Sequence, residues 1–218
     1  MRSRGMTVSA GRGVLLVAAA AVSVVTAAPV VPWKPLFDGA ALGEWKSTPF
    51  GGEGEVTVVD GAIRIAAGAT LSGVTWGGKF PRQGYEVALE ARRVEGDDFF
   101  CGLTFPVGDD ACSLILGGWG GGTVGLSCID GADASENATS QFHEFERGRW
   151  YSVTVRVSPE RIECLLDGKR IIDQPLADRR ISVRIEVEAS RPLGIATYAT
   201  TGEARNIRWR PLAADAGR

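Results

Sequence analysis

Trp150-Tyr151-Ser152-Val153-Thr154-Val155-Arg156-Val157, then Ser158-Pro159-Glu160, then Arg161-Ile162-Glu163-Cys164-Leu165-Leu166-Asp167-Gly168, is a β-hairpin written out in residue order. Tyr151, Val153, Val155 and Val157 alternate with Ser152, Thr154 and Arg156. A period of two over this length predicts a half-buried antiparallel strand. Ser158-Pro159-Glu160 breaks the run, and a second alternation follows through Ile162, Cys164 and Leu166. Asp167-Gly168 then turns the chain tightly, because both residue types tolerate positive φ.

The rest of the chain repeats this grammar. Its 29 glycines and ten prolines are spread among short apolar runs, as in an all-β protein rich in turns. Strands are expected at 55–59 and 62–66 around Asp60-Gly61, and at 71–75 and 85–94. A meander follows at 99–105, 111–116 and 123–129, turning at Gly108-Asp109-Asp110 and at Gly117-Gly118-Trp119-Gly120-Gly121-Gly122. The last strands are expected at 181–188, 193–198 and 204–210. About a dozen strands leave a sandwich or a closed barrel as options. A jelly-roll β-sandwich of two antiparallel sheets is the favoured one. Trp45 and Trp150 are assigned to its core.

Residues 1–28 are set apart from this pattern. Arg2, Arg4 and Arg12 precede an apolar stretch from Val14 to Val25, and Thr26-Ala27-Ala28 supplies small residues for cleavage. This predicts a signal peptide and an exported protein, periplasmic or extracellular. An uncleaved anchor is the alternative. The remainder, 29–218, is expected to be a single domain with its core at about 33–212. The whole chain carries 24 basic and 26 acidic residues, a net charge of −2. Loss of the leader removes three arginines and no acid, which leaves −5. No basic run remains, so nucleic acid is excluded as a partner. Cys101, Cys112, Cys128 and Cys164 are free to form disulfides in an exported chain or to sit as buried thiols. A hairpin centred near Gly120 sets Cys112 opposite Cys128. A turn at Gly108-Asp109 sets Cys112 nearer Phe105 than Cys101.

Several segments resemble one family. They are Leu36-Phe37-Asp38-Gly39 with Leu42-Gly43-Glu44-Trp45, the strand Tyr85-Glu86-Val87-Ala88-Leu89-Glu90, and the Trp150-Tyr151 to Asp167-Gly168 hairpin. Pro192-Leu193-Gly194-Ile195 and Arg205-Asn206-Ile207-Arg208 close the set. In this order they are similar to the 3-keto-disaccharide hydrolases, also described as 3-keto-glucoside lyases or hydratases. The resemblance implies a concanavalin A-like jelly roll acting on an oxidised carbohydrate outside the cytoplasm. A sugar 3-dehydrogenase that makes the 3-keto group is then an implied partner. The chemistry implied is removal of the C2 proton, elimination at C1 and hydration. It needs a base, an acid, and a positive group for the enolate.

Candidates come from patterning. If 181–188 is a strand, Arg184, Glu186 and Glu188 share its polar face, with neighbours ~6.6 Å apart at ~3.3 Å per residue. Glu90 and Arg92 form a similar row on 85–94, so the two strands together would build an acidic cleft with two arginines. A solvated outer face explains the same charges. His143, the single histidine, is a candidate base by its ordinary titration range. Trp119 and Trp76, beside glycines, are candidates to stack on a sugar face, with Asp97 as a polar contact. Asp130, Asp133 and Glu136 crowd one loop, where calcium or another divalent ion is a candidate ligand and a hydrogen-bonded turn is the alternative. No other cofactor is called for. A non-catalytic lectin-like binding module and an adhesion domain are the competing functions. The absence of a Glu-x-Asp-x-x-Glu strand argues against an ordinary glucanase.

Overall fold

In the computed structural model, residues 31–212 are described, with Met1 and Gly5 besides. The expected leader, 1–28, lies outside this stretch. Among the described residues no helix is long and apolar enough to cross a membrane. The strands are β1 (Lys34–Pro35), β2 (Trp45–Ser47), β3 (Val56–Val59), β4 (Ala62–Ile65), β5 (Leu71–Trp76) and β6 (Tyr85–Glu95). Next come β7 (Cys101–Val107), β8 (Asp110–Gly117), β9 (Thr123–Ser127), β10 (Gln141–Phe142) and β11 (Tyr151–Val157). The chain closes with β12 (Arg161–Leu166), β13 (Lys169–Pro175), β14 (Gly194–Tyr198) and β15 (Thr201–Pro211).

They form two antiparallel sheets packed face to face, the expected jelly-roll sandwich. The first runs β13-β12-β11-β6-β15-β4-β3, with β1 added to β15. The second runs β10-β9-β8-β7-β14-β5-β2. Asp60 and Gly61, and again Asp167 and Gly168, all have positive φ, so both two-residue hairpins form as their sequences require.

Register explains the core. In the second sheet Val74, Ile195, Leu103, Leu114 and Leu126 lie side by side across five strands, and all are buried. In the first sheet Leu166, Val153 and Leu89 do the same. Side chains alternate along a strand, so each such row faces the other sheet. Trp45 is buried as expected. Its indole N–H donates to the Leu36 carbonyl at 2.9 Å, and its ring meets Trp76 edge-on at 5.3 Å. Trp150 departs from expectation. It precedes the inward-facing Tyr151 and so lies on the outer face, between the guanidinium groups of Arg92 (4.5 Å) and Arg205 (4.1 Å).

That outer face is built of cross-strand rows of alternating charge. Arg156 and Arg210 flank Glu86, Arg64 and Arg92 flank Glu203, and Arg205 stands opposite Glu90. Nitrogen–oxygen distances are 2.8 Å for Arg156–Glu86 and 2.6 Å for Arg64–Glu203, Arg92–Glu203 and Arg205–Glu90. Opposite charges directly across a ladder stabilise it. Glu86 and Glu203 are buried there beneath the arginine stems.

The four cysteines are free and buried. Cys112 pairs with Phe105, as the Gly108 turn requires. Burial pushes the Cys101 and Cys112 thiols up to about 12 and raises Cys164 well above its ordinary value. A thiol held protonated is a poor nucleophile. Buried as they are, none of the four should react with a thiol reagent at pH 8 in the native protein. All four should react after unfolding in guanidinium without reductant; fewer would reveal a disulfide. Trp45→Ala should cost about 3–5 kcal/mol, read as a lowered denaturant midpoint.

Candidate functional site

The outer face of the second sheet is constructed differently. One row reads Thr75, Gly194, Thr104, Ser113, Ser127, and the next reads Gly73, Ala196, Gly102, Ile115, Gly125. Apart from Ile115 these are small residues, so the face is a floor with room above it. A Cβ on Gly73 would lie 3.1 Å from the Phe50 ring, and one on Gly102 would lie 3.1 Å from the Phe99 ring. A Cβ on Gly125 would meet the Ala134 carbonyl at 2.6 Å. Missing side chains thus let Phe50, Phe99 and the 130–140 loop rest on the floor as walls.

One further wall is a correction to the expected strand at 181–188. Only Ile181 and Ser182 pair, with Ile129 and Cys128, and residues Ile185–Ser190 form a 3-10 helix. The segment leaves the sheet edge and crosses the open face. There Thr75 donates to the Ala189 carbonyl at 3.0 Å, and Ser190 packs against Gly194. Val187 and Ser190 are buried three residues apart, as a 3-10 turn allows, while Ile185 is 87% exposed. The alternation of Ile181, Val183, Ile185 and Val187 is therefore not a burial pattern.

Floor and walls enclose a cleft of about 660 Å³, lined among others by Phe50, Asp98, Phe99, Trp119, Arg184, Glu186 and Tyr198. Trp119 is 46% exposed on it, and Tyr198 is 41% exposed. Arg184 and Glu186 are paired at 2.9 Å, and Arg184 also reaches Asp133 at 2.6 Å. The hydrogen bond from Arg184 holds the Glu186 carboxyl below the usual carboxylate range, and Glu186 in turn raises the Arg184 guanidinium. Asp98 accepts from the Phe99 N–H at 2.7 Å and the Gly120 N–H at 3.3 Å. Two carboxylates, one guanidinium and exposed aromatic rings therefore share one concave surface.

A family model for the 3-keto-alpha-glucoside-1,2-lyase-like domain matches residues 32–210. The chain belongs to this family. No curated protein sequence matches the chain. Solved structures share the fold at low identity. Carbohydrate binding module CBM66 of Bacillus subtilis is 14% identical with a TM-score of 0.51, covering 77% of this chain and 95% of its own. The Crh5 transglycosylase in complex with NAG is 11% identical with a TM-score of 0.56, covering 86% of each chain. A galectin-like protein of unknown function from Bacillus subtilis is 10% identical with a TM-score of 0.57, covering 85% and 97%.

On this member of the family the expected site residues are divided. Arg184, Glu186 and Trp119 meet in the cleft. Glu188 lies on the same 3-10 segment, outside the cleft lining, paired with Arg191 at 3.0 Å. Glu90 and Arg92 are on the far side of the sandwich, about 10 Å of core away, in the charge rows of the first sheet. Trp76 is an anchor against Trp45 and is not part of the cleft lining. His143 packs between Phe145 (4.5 Å) and Tyr151 (6.0 Å), and its Nε2 is buried without a partner.

Asp97 is exposed and 3.5 Å from Arg147; its neighbour Asp98 faces the cleft. Period two places one of the pair inward, and the Gly96 turn hides which. Asp130, Asp133 and Glu136 do not assemble. Asp130 takes Arg179 and the Arg180 N–H, whose hydrogen bonds lower its pKa, and Asp133 takes Arg184 and Ser135. Among the described residues no group of three or more His, Cys, Asp or Glu is placed to hold a metal ion. Asn137 spends its amide on the carbonyls of Leu126, Ala132 and Asp133, closing the loop as a hydrogen-bonded turn.

Because the folded Glu186 pKa is depressed, the pair's stabilisation is present above the ordinary carboxylate range and is lost as pH falls through the lower folded value. Both partners are about half exposed, so the effect on stability is small. Arg184→Met should return Glu186 upward toward the ordinary range, visible in a carboxyl-carbon NMR titration. An unchanged titration would show that Arg184 does not set it.

Proposed function

We propose that this protein is an exported enzyme that cleaves 3-keto-glycosides by elimination and hydration in the cleft of the second sheet. The observation that carries this reading is the meeting of Asp98, Glu186, Arg184 and Trp119 on one floor of small residues. The family supports it, because a 3-ketone is what makes the C2 proton removable by a carboxylate.

Each group has a role that follows from its surroundings. Trp119 offers an exposed ring for a sugar face. Arg184 uses three of the five N–H donors of a guanidinium on Glu186 and Asp133, which leaves two for an enolate oxygen. Glu186, kept ionised by Arg184, accepts from a sugar hydroxyl and is unsuited to deliver a proton. Asp98 takes the C2 proton, and the electron pair moves to the C3 oxygen as enolate. Collapse of the enolate breaks the C1–O bond, and Tyr198, a phenol at the mouth, protonates the leaving oxygen. Water then adds across the C1–C2 double bond. Its hydroxyl joins C1, the proton held by Asp98 returns to C2, and the remaining water proton restores Tyr198. A dehydrogenase acting earlier supplies the ketone.

A second reading is a lectin-like module. It is favoured by one observation: Glu186 and Asp98 already hold hydrogen-bond partners of their own. A turnover assay of the mature protein on a panel of 3-keto-glucosides separates the two. Aglycone release should fall at least about 100-fold in Asp98→Asn and Arg184→Met. Release unaffected by either variant would remove the chemistry from this cleft. No release, with saturable binding of unoxidised oligosaccharides that Trp119→Ala abolishes, would establish the module.

A further inference from the structure

Strand β6 presents Tyr85, Val87, Leu89 and Ala91 to the core, and the next residue in that register is Arg93. It is 7% exposed. A cation on a core-facing position is costly unless its donors are satisfied. Here the partners are backbone carbonyls gathered on one terminal nitrogen, while the buried Nε has none. One terminal nitrogen of Arg93 donates to the Gly121 carbonyl at 2.9 Å, to that of Asp98 at 3.2 Å and to that of Gly117 at 3.3 Å. Its guanidinium carbon lies 5.3 Å from the Phe100 ring centre. Arg93 belongs to the first sheet, yet the carbonyls it holds belong to the β6–β7 connection and to the turn between β8 and β9 of the second.

Those carbonyls bracket the two segments that bring Asp98 and Trp119 to the cleft. The backbone between them is unusual. Gly117, Trp119, Gly120 and Gly121 all have positive φ, and Trp119 stands at φ 49, ψ 56. A bulky side chain in this left-handed region is strained, and such a residue persists only where its surroundings over-determine it. Arg93 is what the loop closes on. A Cβ on Gly117 would lie 2.5 Å from its terminal nitrogen. The Gly120 N–H reaches back to Asp98 and ties the segments to each other.

We infer that Arg93 is the positioning residue of this site, a clamp from the opposite sheet that fixes Trp119 and Asp98 in their cleft-facing arrangement before sugar arrives. It touches no substrate. The inference rests on the assignment of the cleft as the sugar site, but the clamp itself can be read without sugar. Loss of the clamp leaves the loop free to leave its left-handed conformation and leaves Asp98 free to move with it, so binding and proton abstraction both weaken.

The test uses 5-fluorotryptophan-labelled protein, with the Trp119 fluorine resonance identified by its loss in Trp119→Phe. Wild type should give one narrow Trp119 resonance. Arg93→Met should broaden or split it while the Trp45 resonance stays in place. Arg93→Lys keeps the charge, but its ammonium ends about one bond short of the Arg93 terminal nitrogen, so it should shift the same resonance and carries the test should Arg93→Met fail to fold. With 3-keto-glucosides, Arg93→Lys should raise KM and lower kcat, each about tenfold, because Trp119 and Asp98 are loosened together. An unmoved Trp119 resonance in a folded Arg93 variant would overturn the clamp, and so would KM and kcat both unchanged. A moved resonance in a protein that turns over none of the glucosides would uphold the clamp and sink the enzymatic reading.

Discussion

A sandwich core accepts every second side chain of a strand, and the structure depends on what each sheet does with the other half. The two sheets solve this differently. The first covers its outer face with arginine–glutamate rows and lays Trp150 between two guanidinium groups. Its long side chains cover that surface. The second clears two adjacent rows of its outer face to Gly, Ala, Ser and Thr, with Ile115 as the exception within them. The space left is taken by Phe50, Phe99, the 130–140 loop and the 3-10 segment, and what they do not fill is the cleft.

Arginine serves three distinct ends in this chain. In the rows of the first sheet it neutralises buried carboxylates, a local ladder effect. At Arg184 it joins two elements distant in sequence, the 3-10 segment through Glu186 and the 130–140 loop through Asp133. At Arg93 it is buried, with one terminal nitrogen held by three backbone carbonyls and Nε left without a partner. Burial lowers the basicity of that guanidinium, and the carbonyls on its terminal nitrogen offset part of the cost of burying a cation there.

Fold was legible where periodicity and turn chemistry agreed. The β11–β12 unit, both Asp-Gly hairpins and the pairing of Cys112 with Phe105 follow from counting residues between turns. The site was legible only in part. Trp119 stood out because a tryptophan among glycines has no packing reason of its own. Arg184 and Glu186 were found through an alternation that is not a strand, since proximity in sequence kept them together in a 3-10 turn as well. Asp98 was missed by one residue. Arg93 carried a signal, a charge in the core register of β6, which an outward-facing tally of carboxylates passes over.

By itself the sequence determined the strands, their inward faces, the tight turns and the family, because these depend on period two, on positive-φ residues and on short ordered segments. Only the tertiary structure decided which charges meet. Glu90 with Arg92, and Glu186 with Arg184, are each two residues apart in the chain, yet they end on opposite sides of the sandwich. Which sheet a segment joins, and whether it pairs or crosses the open face, is set by the packing of the whole chain, and no local pattern records it.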